Sequence, residues 1–159
     1  MRLGVLDVGS NTVHLQVVDT SPGARPNPTF NYKEELKLTQ YIQENNQISD
    51  EGVEKLRACI NRAIQQSASV QTQELLPFAT SALREAINGE EVISKINKDF
   101  HIDLQVLSGE EEAKLTFLAA RRWFGWSSGR LLVIDIGGGS LEMAAGVDES
   151  PEIATSLPL

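Results

Sequence analysis

The sequence contains little cysteine and little positive charge. Cys59 is the only cysteine among 159 residues, so an internal disulfide and a zinc site built from cysteines are both excluded. Asp and Glu number 22 against 14 Lys and Arg, which gives a formal net charge of -8. A chain without a broad basic surface does not bind DNA or RNA through its general charge, so no nucleic acid polymer is expected as a partner.

Long apolar runs are also missing. None approaches the ~20 residues of a membrane span, and the chain reaches Asp7 too early to contain the apolar core of a signal peptide. Together with the single cysteine, these absences predict a cytoplasmic protein with no membrane partner. The content of 41% hydrophobic and 23% charged residues is typical of a globular protein.

One short pattern occurs twice, near the two ends of the chain. In the first copy, an apolar stretch is followed by Asp7, one apolar residue and the loop at 9–12. In the second copy, an apolar stretch is followed by Asp135, one apolar residue and the loop at 137–140. Glycine allows positive φ and lets bare backbone approach a ligand, and successive N–H groups in such a turn form an anion cradle. A single loop of this kind is explained as well by a hairpin turn. Two matching copies indicate a phosphate chain held from both sides.

The candidate phosphate-binding residues follow from these two loops. They are Gly9, Ser10, Asn11, Thr12, Gly137, Gly138, Gly139 and Ser140. Asp7 and Asp135 each end an apolar strand beside a loop, where a carboxylate can hold hydrated magnesium that shares oxygens with phosphate. The alternative for either Asp alone is stabilisation of the turn.

Two charged residues at helix starts need a second interpretation beside a structural one. Ser108 and Glu111 form a predicted capping box, which explains the acidic start of this helix. Glu112 is not explained in this way, and it is either a functional acid or a solvated surface acid. Arg84 lies in the first turn of a helix capped by Ser81, which is unfavourable for the helix dipole but useful near an anion; the alternative is a surface arginine. The paired arginines at 121 and 122 are interpreted as helix C-terminal charges, and both histidines as structural.

Hydrophobic periodicity predicts an α/β protein with the element order βββαβαβα, followed by a new βββ start. The third strand is predicted over 29–38, a turn over 21–28, and a helix break at Asn88-Gly89. This pattern indicates a first domain over 1–126 and the opening of a second over 127–159. Since two or three strands without helices make a poor core, we expect the natural protein to continue.

Four motifs in this order resemble one family. The segments DVGSNT (7–12), TSALR (80–84), SGEEEA (108–113) and DIGGGSLE (135–142) are similar to those of the exopolyphosphatase / guanosine pentaphosphate phosphohydrolase family. That family belongs to the actin, heat-shock chaperone and sugar-kinase superfamily. The resemblance implies two ribonuclease-H-like (actin-like ATPase) domains that face each other across a cleft. Thr12 and Leu141 depart from the frequent Ser and Thr of the motifs.

The resemblance also implies an activity and a set of roles. The activity is removal of terminal phosphate from inorganic polyphosphate, or of the 5′ γ-phosphate from guanosine pentaphosphate in the bacterial stringent response, with Mg²⁺ or another divalent cation as cofactor. Glu112 is implied as the general base and Arg84 as a phosphate contact, with the two glycine loops holding phosphate. Asp135 and Glu142 are implied to position metal or water, and Asp7 to support the metal side.

Three further questions stay open at this point. A non-catalytic polyphosphate- or nucleotide-binding module and an actin-like kinase or ATPase are the alternative functions. The 159-residue chain by itself is expected to be inactive, because most of the second domain would be missing. Exposed strands after Leu131 could pair with a second copy to form a homodimer.

Overall fold

The structure, a computed structural model, describes residues 1–23 and 26–159. Residues 24 and 25 of the turn predicted over 21–28 lie outside the described residues. The described chain is a mixed α/β fold that divides into two compact units, Met1–Val106 and Leu107–Leu159. Within the described segments, no helix is both long and apolar enough to cross a membrane.

The first unit is built on a five-stranded sheet with the strand order β3-β2-β1-β4-β5. Strands β1, β2 and β3 pair antiparallel, and β4 joins β1 in parallel, as does β5 to β4. The strands are β1 Arg2–Val8, β2 Thr12–Asp19, β3 Asn27–Glu35, β4 Glu74–Ala79 and β5 Gln105–Val106.

Three α-helices complete the first unit: α1 Asp50–Ser69, α2 Ser81–Glu85 and α3 Gly89–Phe100. Ser49 caps α1 by accepting a hydrogen bond from the Gly52 N–H at 3.2 Å. The predicted break at Asn88-Gly89 is confirmed. A Cβ at Gly89 would lie 2.0 Å from the Leu83 carbonyl oxygen, so this close approach requires glycine.

The core of the first unit lies between the sheet and α1. Alternate residues of β1 and β2 point to this side, and Leu6 and Leu15 are fully buried there. Helix α1 contributes a stripe at helical spacing that includes Leu56, Cys59 and Ile60. Burial raises the pKa of the Cys59 thiol, as expected of a cysteine that packs in the core.

The third strand ends earlier than predicted, at Glu35 instead of residue 38. Lys37 adopts a left-handed conformation with φ of 53°, and Leu38 begins a short 3₁₀ helix that ends at Tyr41. The N–H groups of Leu36 and Lys37 bond to the first glycine loop instead of to a neighbouring strand. These hydrogen bonds to Asn11 therefore end β3, although the apolar alternation continues through Leu36 and Leu38.

The second unit is a three-stranded antiparallel sheet with one helix packed on it. Its elements are α4 Gly109–Phe124, a 3₁₀ turn at Trp126–Ser128, β6 Leu131–Ile136, β7 Ser140–Gly146 and β8 Ile153–Pro158. Ala113 and Phe117 of α4 form a small core with Ala144 of β7. Helix α4 thus belongs to the second compact unit. The domain boundary predicted from the sequence at 126/127 would place α4 in the first domain, and this division into domains stays a prediction.

Candidate phosphate and metal site

The first glycine loop is a tight hairpin turn between β1 and β2. The Gly9 N–H donates to the Thr12 carbonyl oxygen at 2.9 Å and closes the turn. A Cβ at Gly9 would lie 3.3 Å from that oxygen, so glycine lets the turn close without displacing its partner. The Ser10 side chain is buried and Asn11 is exposed.

The segment after β3 holds this loop in place. The Asn11 carbonyl accepts from the N–H groups of Leu36 at 2.8 Å and Lys37 at 3.0 Å, and the Ser10 carbonyl accepts from the Leu38 N–H at 2.7 Å. These bonds satisfy the loop carbonyls inside the protein. Hydrogen bonds within the protein therefore fix the backbone of this loop.

The second glycine loop repeats the same turn between β6 and β7. The Gly137 N–H donates to the Ser140 carbonyl at 2.8 Å, and a Cβ at Gly137 would lie 3.2 Å from that oxygen. The Leu159 N–H also donates to the Gly139 carbonyl at 3.1 Å. Among the described glycines, those with left-handed φ are Gly23, Gly125 and Gly129. Gly9 and Gly137 therefore suit their loops because the backbone passes close to them, and not because they adopt a positive φ.

Each loop has a pair of polar residues at the adjoining strand ends. Asp7 is the register partner of His14 across β1 and β2, and Asp135 is the register partner of Glu142 across β6 and β7. Both aspartates are exposed, whereas Glu142 is only 2% exposed. The carboxylates of Asp135 and Glu142 thus share one face of the second hairpin, beside its glycine loop.

Ser156 is a residue of this site that the sequence did not reveal. It lies on β8 as the register partner of Glu142, and its hydroxyl donates to Glu142 Oε1 at 2.7 Å. A loop over residues 147–152 joins β7 to β8. Ser156 lies beyond this loop and outside the four motifs, so no sequence motif marks it. Only the strand register places it beside Glu142.

Arg84 is joined to the first loop through the residues before it. The Thr80 N–H donates to the Val8 carbonyl at 3.3 Å, and Ser81 Oγ lies 2.8 Å from Ser10 Oγ with both side chains buried. Arg84 itself is 18% exposed, and its Nε donates to Glu85 Oε1 at 2.9 Å. Ser81, three residues before Arg84, therefore contacts the first loop within the first unit.

The predicted capping role of Ser81 is wrong. Thr80 is the N-cap of α2, without a side-chain capping bond, and Ser81 is the first helical residue. The Ser81 hydroxyl bonds to Ser10 instead. A buried hydroxyl partner competes successfully with the local cap, which sequence alone does not show.

The acidic start of α4 forms the predicted capping box. Ser108 Oγ accepts from the Glu111 N–H at 3.2 Å, and Glu111 Oε2 accepts from the Ser108 N–H at 2.8 Å. These bonds with Ser108 lower the pKa of the Glu111 carboxyl. Glu112 is half-buried and takes no part in the capping box.

The direction of α4 relates Glu112 to the second hairpin. Phe117 lies 3.4 Å from a Cβ built on Gly146, at the far end of β7, and Ala113, about one turn earlier, packs in the same core as Ala144. The helix therefore starts towards the Ser140 end of β7. Glu112, Glu142 and the second glycine loop belong to this end of the second unit.

Comparison with known proteins identifies the group to which this arrangement belongs. The model of the Ppx/GppA phosphatase family matches residues 16–159. The chain belongs to this family. The assignment confirms the resemblance carried by the four motifs.

Individual relatives agree with the family match. Exopolyphosphatase 1 of Mycobacterium tuberculosis is 53% identical over all 159 residues, which make up 46% of that protein. A guanosine-5'-triphosphate,3'-diphosphate pyrophosphatase of Vibrio atlanticus is 32% identical over 154 residues, with 97% of this chain and 31% of that protein covered. The chain thus spans about half the length of the first of these relatives and about a third of the second.

Solved structures confirm the expected fold. An exopolyphosphatase from Cytophaga hutchinsonii matches with a TM-score of 0.91 and 28% identity, over 100% of this chain and 51% of that one. MreB5 of Spiroplasma citri matches with a TM-score of 0.50 and 17% identity, over 98% of this chain and 51% of that one, and shows the fold alone. The chain therefore has the α/β fold shared by Ppx/GppA proteins and actin-like ATPases.

The carboxylates suit a magnesium ion that relies mainly on water and phosphate. Carboxylate oxygens are the hard ligands that Mg²⁺ prefers, and it usually takes only one or two from the protein. Asp135 and Glu142 supply such a pair on one face of the hairpin. In the described part of the chain, no three or more His, Cys, Asp or Glu side chains gather as a metal cluster, and Asp7 belongs to the other unit.

The site residues expected of a Ppx/GppA protein thus fall into two groups. The first unit brings together the loop at 9–12, Asp7 and Arg84. The second unit brings together the loop at 137–140, Asp135, Glu142 and the helix that carries Glu112. Each group contains one glycine hairpin and at least one carboxylate.

Proposed function

We propose that the full-length protein is a magnesium-dependent phosphohydrolase. It releases terminal orthophosphate from inorganic polyphosphate, or the 5′ γ-phosphate from guanosine pentaphosphate. The observation that carries this proposal is the second unit, where a glycine hairpin, two opposed carboxylates and the start of the Glu112 helix occur together. Membership of the Ppx/GppA family and the names of the relatives support it.

The glycine loops and Arg84 bind the phosphate chain in this proposal. Phosphoryl transfer depends mainly on positioning and on neutralising the charge of the phosphate oxygens. Backbone N–H groups of the turns at 9–12 and 137–140 other than those of Gly9 and Gly137, which close the turns, would bind phosphate oxygens, and a guanidinium adds a fork of donors that suits phosphate. Such a site does not need a basic surface, which fits the net charge of -8.

Asp135 and Glu142 would hold the metal. A bound divalent cation supplies charge neutralisation at the phosphate oxygens. The buried position of Glu142 and its bond from Ser156 restrict the orientation of its carboxylate. This restriction suits a residue that positions a metal or a water.

Glu112 acts as the general base. It takes a proton from the water that attacks the terminal phosphorus, while the bridging P–O bond breaks and the shortened chain leaves. Glu111 is unsuited to this role because its carboxylate is engaged by Ser108 in the capping box. Of the other two acids of this turn, Glu110 is exposed and pairs with Lys114, whereas Glu112 is half-buried.

The proposal concerns the full-length protein in the cytoplasm. The 159-residue chain, which corresponds to 46% of exopolyphosphatase 1, is proposed to have little or no activity by itself. Measurable magnesium-dependent phosphate release by this chain would contradict that part of the proposal. It would leave the assignment of the reaction intact.

Glu112→Gln in the full-length protein tests the reaction. We expect phosphate release from both substrates to be lost while substrate binding persists, because glutamine keeps the shape but cannot accept the proton. Glu110→Gln is the matched control, since Glu110 is exposed in the same turn and pairs with Lys114. Turnover retained by Glu112→Gln would refute the assignment of the base. Parallel assays with polyphosphate and guanosine pentaphosphate identify the preferred substrate.

A further inference from the structure

Glu142 is a carboxylate that the protein keeps almost completely away from solvent. It is 2% exposed, on the same face of β7 as Ser140 and Ala144. A buried carboxylate is costly unless hydrogen bonds compensate for its lost hydration. The neighbours that supply such bonds therefore control where this side chain lies.

Ser156 supplies such a bond. Its Oγ lies 2.7 Å from Glu142 Oε1, the length of a charge-assisted O–H···O⁻ bond. A serine hydroxyl has a single proton to donate, and a carboxylate has two oxygens with about four acceptor positions. The bond therefore orients Glu142 without using up its capacity to bind a cation or a metal-bound water.

The strand register makes this contact specific to one position of β8. Glu142 has Asp135 as its register partner on β6 and Ser156 on β8, so the three residues form one row across the sheet. Thr155 and Leu157, the neighbours of Ser156 along β8, point to the opposite face of the sheet. Neither of these two neighbours along β8 can replace the Ser156 hydroxyl.

We propose that Ser156 is a positioning residue of the phosphohydrolase site, which holds the Glu142 carboxylate in the orientation required by the divalent cation. The proposal rests on the function proposed above. It adds a residue from outside the four motifs. Ser156 acts through Glu142 and does not touch the substrate.

Ser156→Ala in the full-length protein tests this role. Loss of an outer-shell hydrogen bond to a metal ligand typically weakens metal binding by about 10–100-fold. We expect the Mg²⁺ concentration for half-maximal activity to rise by about tenfold, and the affinity for Mn²⁺, measured by electron paramagnetic resonance without substrate, to fall by a similar factor. Ser156→Thr, which keeps the hydroxyl and suits a strand, should restore both values.

Thr155→Ala is the matched control, because it removes a hydroxyl from the other face of the same strand. We expect it to leave both metal measurements unchanged. If Ser156→Ala does not fold, as judged by thermal unfolding, Ser156→Cys takes its place, since a thiol has similar size but is a weak donor. The same expectations then apply.

Unchanged Mn²⁺ affinity and Mg²⁺ requirement in the folded Ser156 variant would overturn the proposal. So would a Ser156→Thr variant that behaves like Ser156→Ala. Failure of the proposed function itself gives a different result, in which the parent protein releases no phosphate from either substrate, while the Mn²⁺ affinities of the parent and of Ser156→Ala can still be compared. The two failures are therefore distinguishable.

Discussion

Ser10 Oγ and Ser81 Oγ lie 2.8 Å apart, and both side chains are buried, with 4% and 3% exposed. Ser10 belongs to the first glycine loop, and Ser81 begins the short helix that carries Arg84. A single hydrogen bond between residues 71 positions apart thus connects two phosphate-contacting segments of the proposed site. Neither serine needs to touch phosphate for this connection to matter.

Ser81→Ala should weaken the site more than the fold. Removing one partner of a buried hydrogen bond costs about 1 kcal/mol of the free energy of unfolding. Because the loop and the helix that carries Arg84 lose this side-chain contact, we expect KM for polyphosphate in the full-length protein to rise severalfold, measured by phosphate release. Ser69→Ala, at the exposed end of α1, is the control and should leave KM unchanged. An unchanged KM in Ser81→Ala would show that the connection has no role in binding.

Arg121 is expected to be essential for stability, although its sequence position indicates a surface charge. It is 1% exposed, and its guanidinium donates to Gly129 O at 2.7 Å, Gly146 O at 3.0 Å and Ser128 Oγ at 3.0 Å. Arg121→Ala should lower the free energy of unfolding by about 3 kcal/mol, because buried carbonyl groups lose their donors. Arg121→Lys should not restore it, since one ammonium cannot reproduce the planar fork. Urea denaturation measures both effects.

Arg122→Ala is the neighbouring control. Arg122 forms an exposed pair with Glu149 at 3.0 Å, and exposed pairs contribute little to stability. Arg121→Ala should therefore lower the free energy of unfolding far more than Arg122→Ala does. Equal effects would contradict the structural role assigned to Arg121.

The Glu34 carboxyl connects β3 to α1 and makes stability depend on acid pH. Hydrogen bonds from Arg62, and a further one from the Tyr32 hydroxyl at 2.6 Å, lower the pKa of Glu34 from its ordinary 4.5 to about 2. Because the folded pKa lies below the unfolded one, the stabilisation is complete above pH 4.5 and is lost as the pH falls towards 2. Arg62 is half-exposed, so we expect only about 1 kcal/mol.

Glu34→Gln measures this contribution. The difference in unfolding free energy between the parent and the variant should be constant near neutral pH and should vanish as the pH approaches 2. Glu44→Gln, in the exposed loop before α1, is the control and should show no such pH dependence. A Glu34→Gln difference that persists undiminished at acid pH would contradict the lowered pKa.

The open face of the second sheet should cause self-association of the 159-residue chain. Leu132, Ile134 and Ile136 of β6 are 66%, 55% and 74% exposed, and neighbouring strands add further apolar side chains to this face. Large exposed apolar patches promote association. We expect sedimentation velocity to show dimers or larger species, and Ile134→Lys to shift them towards monomer. Leu115→Lys, at an exposed position of α4, should not. A monomer at all concentrations would contradict this prediction.

Local patterns predicted most of the elements. The capping box of Ser108 and Glu111 and the break at Gly89 both depend on residues within a few positions of one another. The two glycine loops also belong to this class, since the turn is closed by residues three positions apart. Such interactions are determined by short sequence segments, so they can be inferred without the fold.

Residues whose partners are distant in sequence were mispredicted or missed. The early end of β3 depends on hydrogen bonds to Asn11, and the role of Ser81 depends on Ser10. Arg121 is buried because carbonyl groups from the following turn and from β7 converge on it. In each case a tertiary contact outweighs a local preference.

The sequence by itself determined the family, the two glycine hairpins and the identity of the candidate acids, because these depend on residue type and short spacing. Only the tertiary structure decided that Glu142 is buried against Ser156 and that Ser10 connects to the segment of Arg84. It also decided that α4, with Glu112, packs on the second sheet. Strand register and helix packing bring residues far apart in the chain together, and no local pattern encodes those partners.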